Sequence, residues 1–246
     1  MNLKLTNLQS FILLHAIAIA LAVTFILGLW EGIDRHVFEV LNGWLAASVN
    51  WAEFVALANQ RWIDLLSGSF MLAAVGYFFA TSDGRDRVRI CCAIVMMGVA
   101  FSTQAAVGGM FPSRDSPTLV YEHAVKVTEM FPEIQRTKDA SGSSNPSDHG
   151  IGFFTFLIFC FYRFRGKYLW FVVPVIIALG LPRLLVGAHW LTDFICGALP
   201  LTLITAAWLF HSKPGRWVEG TMAKITIAIL EWIGILKKDA NQMNSV

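Results

Sequence analysis

The stretch LPRLLVGAHWLTD, residues 181–193, joins two apolar runs that are long enough to meet lipid. It sets Arg183, His189 and Asp193 at spacings of six and four in a neighbourhood otherwise suited to burial. Ionisable groups are costly in such a place and persist where they serve a function or pair with one another. The run before it covers about 168–188 and the run after it about 190–210. A spanning helix needs roughly 20 mainly apolar residues. Four more stretches qualify upstream, at about 8–29, 63–81, 89–110 and 149–165. The expected fold is therefore all-α: a polytopic membrane protein built as a bundle of six transmembrane helices. Pro174 and Pro182 fall inside the fifth run. Proline is tolerated in lipid when neighbours satisfy the freed backbone groups.

Composition agrees. The chain has 246 residues, of which 56% are hydrophobic and 15% charged. Soluble domains average about 45–50% apolar and about 25% charged. A net charge of +2 gives no footing for a nucleic-acid partner. The four cysteines show neither Cys-x-x-Cys nor Cys/His metal spacing, so they read as small buried apolar residues. The first apolar run has no small-residue cleavage site before Trp30, so it is kept as a membrane helix. Trp30, Trp62, Trp170, Trp190, Trp208 and Trp217 fall near expected helix ends, where an interfacial belt puts them.

Basic residues set the orientation. One side would hold Lys4, Arg85, Arg87, Arg89, Arg163, Arg165, Lys167, Lys213, Arg216, Lys224, Lys237 and Lys238. The other would hold Arg35, Arg61, Arg114, Lys126, Arg136 and Lys138, spread over longer loops. The positive-inside rule then puts both termini in the cytoplasm and segments 30–62 and 111–148 outside. In 30–62, Val37, Phe38, Val40, Leu41, Trp44 and Leu45 recur at helical spacing. They predict an amphipathic helix, either lying on the outer surface or serving as a lid of the bundle. The run TMAKITIAILEWIGILKK is interrupted by Lys224 and Glu231 and predicts a cytoplasmic interfacial helix rather than a seventh span. Residues 1–211 are thus expected to form the membrane domain, with the chemistry in 111–193. Residues 212–246 are expected to form an amphipathic tail with a frayed end.

His189 and Asp193 are four apart and share a face at the start of the sixth helix. An Asp that accepts one imidazole N–H makes the other nitrogen the better nucleophile. Arg183 supplies a planar fork suited to phosphate oxygens. Taken alone, the trio could equally be a structural ion pair at a helix start. A second cluster, Pro146-Ser147-Asp148-His149, opens the fourth helix on the same outer side. A helix N-terminus offers free N–H groups and partial positive charge to an anion. Ser147 can add a hydroxyl, and His149 is placed to act as a general acid. Arg114, just past the third helix, brings another cation to the same end. Two arginines, two histidines and a helix N-terminus suit phosphate better than a metal. His15, in mid-span, reads as a packing histidine, and His36, His123 and His211 have no partner at catalytic spacing.

These residues resemble the type 2 phosphatidic acid phosphatase superfamily, whose motifs read Lys-x6-Arg-Pro, Pro-Ser-Gly-His and Ser-Arg-x5-His-x3-Asp. The third spacing is matched in full by Arg183, His189 and Asp193, with Pro182 in place of Ser. In the second, Asp148 replaces Gly, a variant associated with bacterial members that act on polyprenyl diphosphates. The first is degenerate: Asp115 follows Arg114, and Val107 stands where Lys is usual. Lys126 and Lys138 are candidates to replace that cation. The likeness spans about residues 60–210.

The resemblance implies a metal-independent lipid phosphatase that needs no cofactor. His189 would form a phosphohistidine and Asp193 would orient it. His149 would protonate the leaving oxygen and then activate water. Arg183, Arg114, Ser147 and the helix start at Asp148 would hold the phosphoryl oxygens. The expected substrate is a lipid (di)phosphate such as undecaprenyl diphosphate, lipid A or phosphatidate, met at the outer face of a bacterial inner membrane. Two other readings stay open. One is a phosphotransferase that passes the group to an acceptor such as lipid A. The other is a non-catalytic lipid-binding or transport protein of the same fold.

Overall fold

The first helix begins where its cap requires. Thr6 accepts a hydrogen bond from the Gln9 amide at 3.2 Å, while the Gln9 side chain accepts one from the Thr6 amide at 2.8 Å. Two orphan N–H groups are thereby satisfied. The computed structural model describes residues 5–165 and 169–234, all helix and connecting loop apart from one isolated β-bridge. Lys4, Lys167, Lys237, Lys238 and the tail expected to fray lie outside the described residues.

Helix α1 (Asn7–Ile26) packs on α10 (Leu199–His211) and shows Leu8, Ile12, Ile19 and Ile26 outward. Helices α2 (Glu31–Ala47) and α3 (Val49–Ala58) follow, then α4 (Arg61–Ala80) and α5 (Gly84–Gly108). Two single turns, α6 (Pro117–Val120) and α7 (Val127–Met130), punctuate the long loop before α8 (Asp148–Phe159). Helix α8 runs on as a π-helical segment, Cys160–Arg165. Helix α9 (Leu169–Leu185) contains both prolines. Another π-helical turn, Asp193–Ala198, leads into α10, and α11 (Lys213–Trp232) closes the described chain.

The chain is an all-α polytopic membrane protein. Among the described residues, four helices have the length and apolarity of a span: Asn7–Ile26, Arg61–Ala80, Asp86–Gly108 and Asp193–His211. The fourth and fifth expected spans differ in detail. The fourth changes to π-helix at Cys160, and the fifth is 17 residues long. Inside the bundle, Ile90 and Met96 of α5, Phe153, Phe156 and Phe159 of α8, Ile176 of α9 and Phe210 of α10 form one apolar cluster. At its middle the Gln104 side-chain oxygen accepts from Thr155 at 3.2 Å and Thr202 at 3.0 Å. That polar knot ties α5, α8 and α10 together where no water competes.

Segment 30–62 is amphipathic and is also the lid. Phe38 and Leu45 are buried, whereas Val40 and Trp44 face out. Leu45, Ala52 and Val55 pack against Val127, Leu185 and Val186 and roof the end of the bundle where α9 stops. Asn42 fastens the roof by exchanging two 2.9 Å hydrogen bonds with the backbone of Val125. Near the start of α5, Val88 and Cys92 meet Ala223, Ile227 and Leu230 of α11. All four cysteines are free; Cys92, Cys160 and Cys196 are buried, and Cys91 only partly. His15 is half-buried, and its Nδ1–H donates to the Phe11 carbonyl at 2.8 Å.

Candidate active site

Gly187 ends α9 in a left-handed turn with φ of 73°. A side chain there would be strained and would press on Phe38 and Thr118 at 2.8 Å. The turn reverses the chain and delivers His189 to the mouth under the roof. Opposite it, Ser147 caps α8 by accepting from the Gly150 amide at 3.2 Å. The Ser147 amide in turn donates to the Asp193 carbonyl at 3.1 Å. Two glycines allow this contact. A Cβ on Gly150 would meet Ala198 and Phe194 at 2.9 Å, and one on Gly197 would strike Asn145 and Pro146. The two segments singled out in the sequence are therefore bolted together.

The His149 and His189 rings lie 6.3 Å apart, centroid to centroid, with planes at 69°. The Nδ1 of His189 sits 2.9 Å from the Ser144 carbonyl and 3.4 Å from Asp193 Oδ2. Both partners only accept, so Nδ1 carries the proton and Nε2 keeps the lone pair. The Nε2 of His149 lies 3.0 Å from Asp64 Oδ1, which places its proton on Nε2. Asp64 also receives Arg183 Nη2. Arg183 is 6% exposed, and its Nη1 donates to the carbonyl of Asn59 at 2.8 Å and to the Asn59 side chain. Its guanidinium is thus fixed at the cavity wall.

His149, His189, Arg183, Asp148 and Asp64 line one cavity of about 250 Å³, together with Arg61 and Lys138. The remaining sequence-selected residues stand behind this wall. Ser147 is wholly buried as the α8 cap. Asp193, also wholly buried, supports His189 and accepts from the Trp190 amide at 2.8 Å. Arg114 is not brought to the cavity. Its Nη1 donates to Thr192 at 2.7 Å and Asp193 at 3.1 Å, and its Nη2 donates to Asp34 at 2.8 Å. Two buried carboxylates claim the guanidinium, because leaving them buried and unpaired would be costly. Of the two lysines considered as replacements for the first-motif cation, Lys138 reaches the cavity, while Lys126 pairs with Glu129 at 3.2 Å.

Sequence reading missed Asp34, Asn59, Asp64 and Ser144. Asp64 did carry a signal: a carboxylate in the first turn of an apolar span is a candidate by default. Asp34 and Asn59 sit in the segment taken for a lid, and Ser144 acts only through its backbone, so none of these had one.

Residues 89–217 match the PAP2 superfamily. Over 212 residues the chain is 31% identical to lipid A 1-diphosphate synthase of Escherichia coli (strain K12), covering 82% of this chain and 87% of that protein. It is 29% identical over 147 residues to bacitracin transport permease protein BcrC of Bacillus licheniformis, covering 59% of this chain and 66% of that protein. No solved structure matches the chain significantly.

Proposed function

Because the chain belongs to the type 2 phosphatidic acid phosphatase (PAP2) superfamily of membrane lipid phosphatases and phosphotransferases, we propose that it removes the terminal phosphate of a lipid diphosphate through a phosphohistidine on His189. The observation that carries this reading is the facing pair His149 and His189 with Arg183 fixed beside them. The Nε2 lone pair of His189 attacks phosphorus in line. As the N–P bond forms, the P–O bond to the leaving group breaks, and the imidazolium of His149, its Nε2–H kept on Asp64, gives its Nδ1 proton to the leaving oxygen. In the second half the Nδ1 of His149 takes a proton from water while Nε2–H stays on Asp64, water oxygen bonds to phosphorus, and His189 leaves. Arg183 and the amides at the α8 start hold the phosphoryl oxygens as charge develops. Asp64 orients the Nε2–H of His149, as Ser144 and Asp193 orient His189. Arg114 acts as the clamp on Asp34 and Asp193. No step in this scheme draws on a metal. We take residues 1–211 as the domain that carries it and the segment from 212 onward as an appended helix.

The second reading, transfer to lipid A instead of water, is favoured by the relative whose name is that of a lipid A 1-diphosphate synthase. One assay separates the readings. Purified protein in detergent with EDTA receives undecaprenyl diphosphate labelled in its terminal phosphate, with and without lipid A. Inorganic phosphate as the labelled product is expected for a hydrolase, and label on lipid A for a transferase. Binding with no turnover would sink both and return the transport reading.

The site is proposed to face the periplasm or exterior, with both termini cytoplasmic. Ser143 lines the cavity and is exposed, and Asp83 is exposed at the far end of α4 and α5, where neighbouring Ser82 is buried. Ser143→Cys is expected to react with an impermeant maleimide on intact cells, and Asp83→Cys only after lysis. The reverse pattern would turn the protein over.

A further inference from the structure

Arg61 and Lys138 line two cavities. The first holds the histidines. The second, about 550 Å³, is walled by Arg61, Arg136, Thr137 and Lys138. The catalytic cavity therefore adjoins a basic chamber that is open to solvent. Among the described residues, the carboxylates form their ion pairs with other cations and none with Arg61, Arg136 or Lys138. Arg61, Arg136 and Lys138 are all exposed, and three like charges lining one open pocket favour a bound anion.

The chamber is built rather than incidental. The loop carrying Arg136 and Lys138 is stapled to the α3–α4 junction. Gln60 and Thr137 form an antiparallel β-bridge. Gln60 donates to the Gln135 carbonyl at 2.9 Å, Thr137 to the Ala56 carbonyl at 3.1 Å, and Asn59 to the Lys138 carbonyl at 2.7 Å. Arg136 is held at φ of 66°, the one described non-glycine residue with positive φ. Such strain persists only where surrounding contacts enforce it. Asn59 also holds Arg183, so one side chain sets the spacing between the basic loop and the catalytic arginine.

We propose that this chamber is a second phosphate subsite. It takes a phosphate group carried on a lipid head while His189 works on its neighbour. The occupant is either the phosphate that stays with the leaving lipid of a diphosphate or the phosphate of an acceptor lipid. The proposal rests on the reading of His189 as the phosphoryl-accepting residue. On that basis the chamber makes the enzyme select diphosphate-bearing or paired lipid phosphates over lone monophosphates.

Arg136 tests it, since it lines the second cavity and not the one that holds the histidines. Arg136→Gly removes the charge while keeping the backbone shape, Arg136→Glu reverses the charge, and Arg136→Lys restores it. The measured quantity is kcat/KM for undecaprenyl diphosphate divided by that for phosphatidate. If the chamber holds the leaving phosphate, this ratio falls about tenfold in Arg136→Gly and about a hundredfold in Arg136→Glu, and recovers in Arg136→Lys. If it holds the acceptor, the ratio stays level and the KM for lipid A in transfer rises by similar factors. No change in either quantity in Arg136→Glu overturns the subsite. Should the wild-type protein turn over neither lipid, the reading of His189 fails and the subsite is judged by binding of inorganic pyrophosphate alone. Affinity about tenfold weaker in Arg136→Gly then supports it, and equal affinity overturns it.

Discussion

His189→Ala is expected to lower phosphate release by about 10⁴-fold or more, the size of loss seen when a covalent nucleophile is removed. The structure explains why nothing substitutes. The Ser144 carbonyl and Asp193 use up Nδ1 and leave Nε2 as the free lone pair in the cavity. Ser141 and Ser143 also line it, but among the described residues neither hydroxyl is hydrogen-bonded to an imidazole that could take its proton. The side chain of His189 is 12% exposed but belongs to none of the apolar clusters of the bundle, and the melt reports whether the variant folds. Phosphate release from a lipid diphosphate in EDTA, beside a thermal melt of both proteins, makes the check. Loss of turnover with an unchanged melt supports the phosphohistidine. Release within tenfold of wild type would refute His189 as the nucleophile.

Arg114→Ala is expected to act first on stability. The side chains of Asp34 and Asp193 are 1% and 0% exposed, and Arg114 is the cation both receive. Removing one partner from a buried pair costs about 3–5 kcal/mol, because the remaining charge stays out of water. For a chain of this size that is roughly a 10 °C fall in melting temperature. Arg114→Lys keeps the charge but not the fork that spans two carboxylates, so it should recover only part of the loss. Unfolding in detergent, followed by tryptophan fluorescence, gives the answer. An unchanged melt with a raised KM would instead make Arg114 the phosphate ligand that its motif position implies. The distinction matters for how the family's first motif works in this chain, where Val107 leaves Arg114 without its usual lysine.

The amino-acid sequence by itself determined the apolar runs, the helix starts and the two histidines. These are short-range matters. A lipid span needs only a continuous apolar stretch, Thr6, Ser147 and Ser212 cap helices within three residues of themselves, and the four-residue step from His189 to Asp193 is a helical neighbour relation. Motif spacing could therefore place His149, Arg183, His189 and Asp193 in one site before any fold was known. Only the tertiary structure decided which charge meets which. Arg183 answers to Asn59 and Asp64, more than a hundred residues away, and Thr192 answers to Asp34 at a still greater separation. Arg114 turns from the cavity to two buried carboxylates, and Lys138 reaches the cavity where Lys126 does not. No period or spacing encodes these choices. Each follows from the rule that a buried polar group must find a partner, and the partner is whichever group the packed helices bring within about 3 Å.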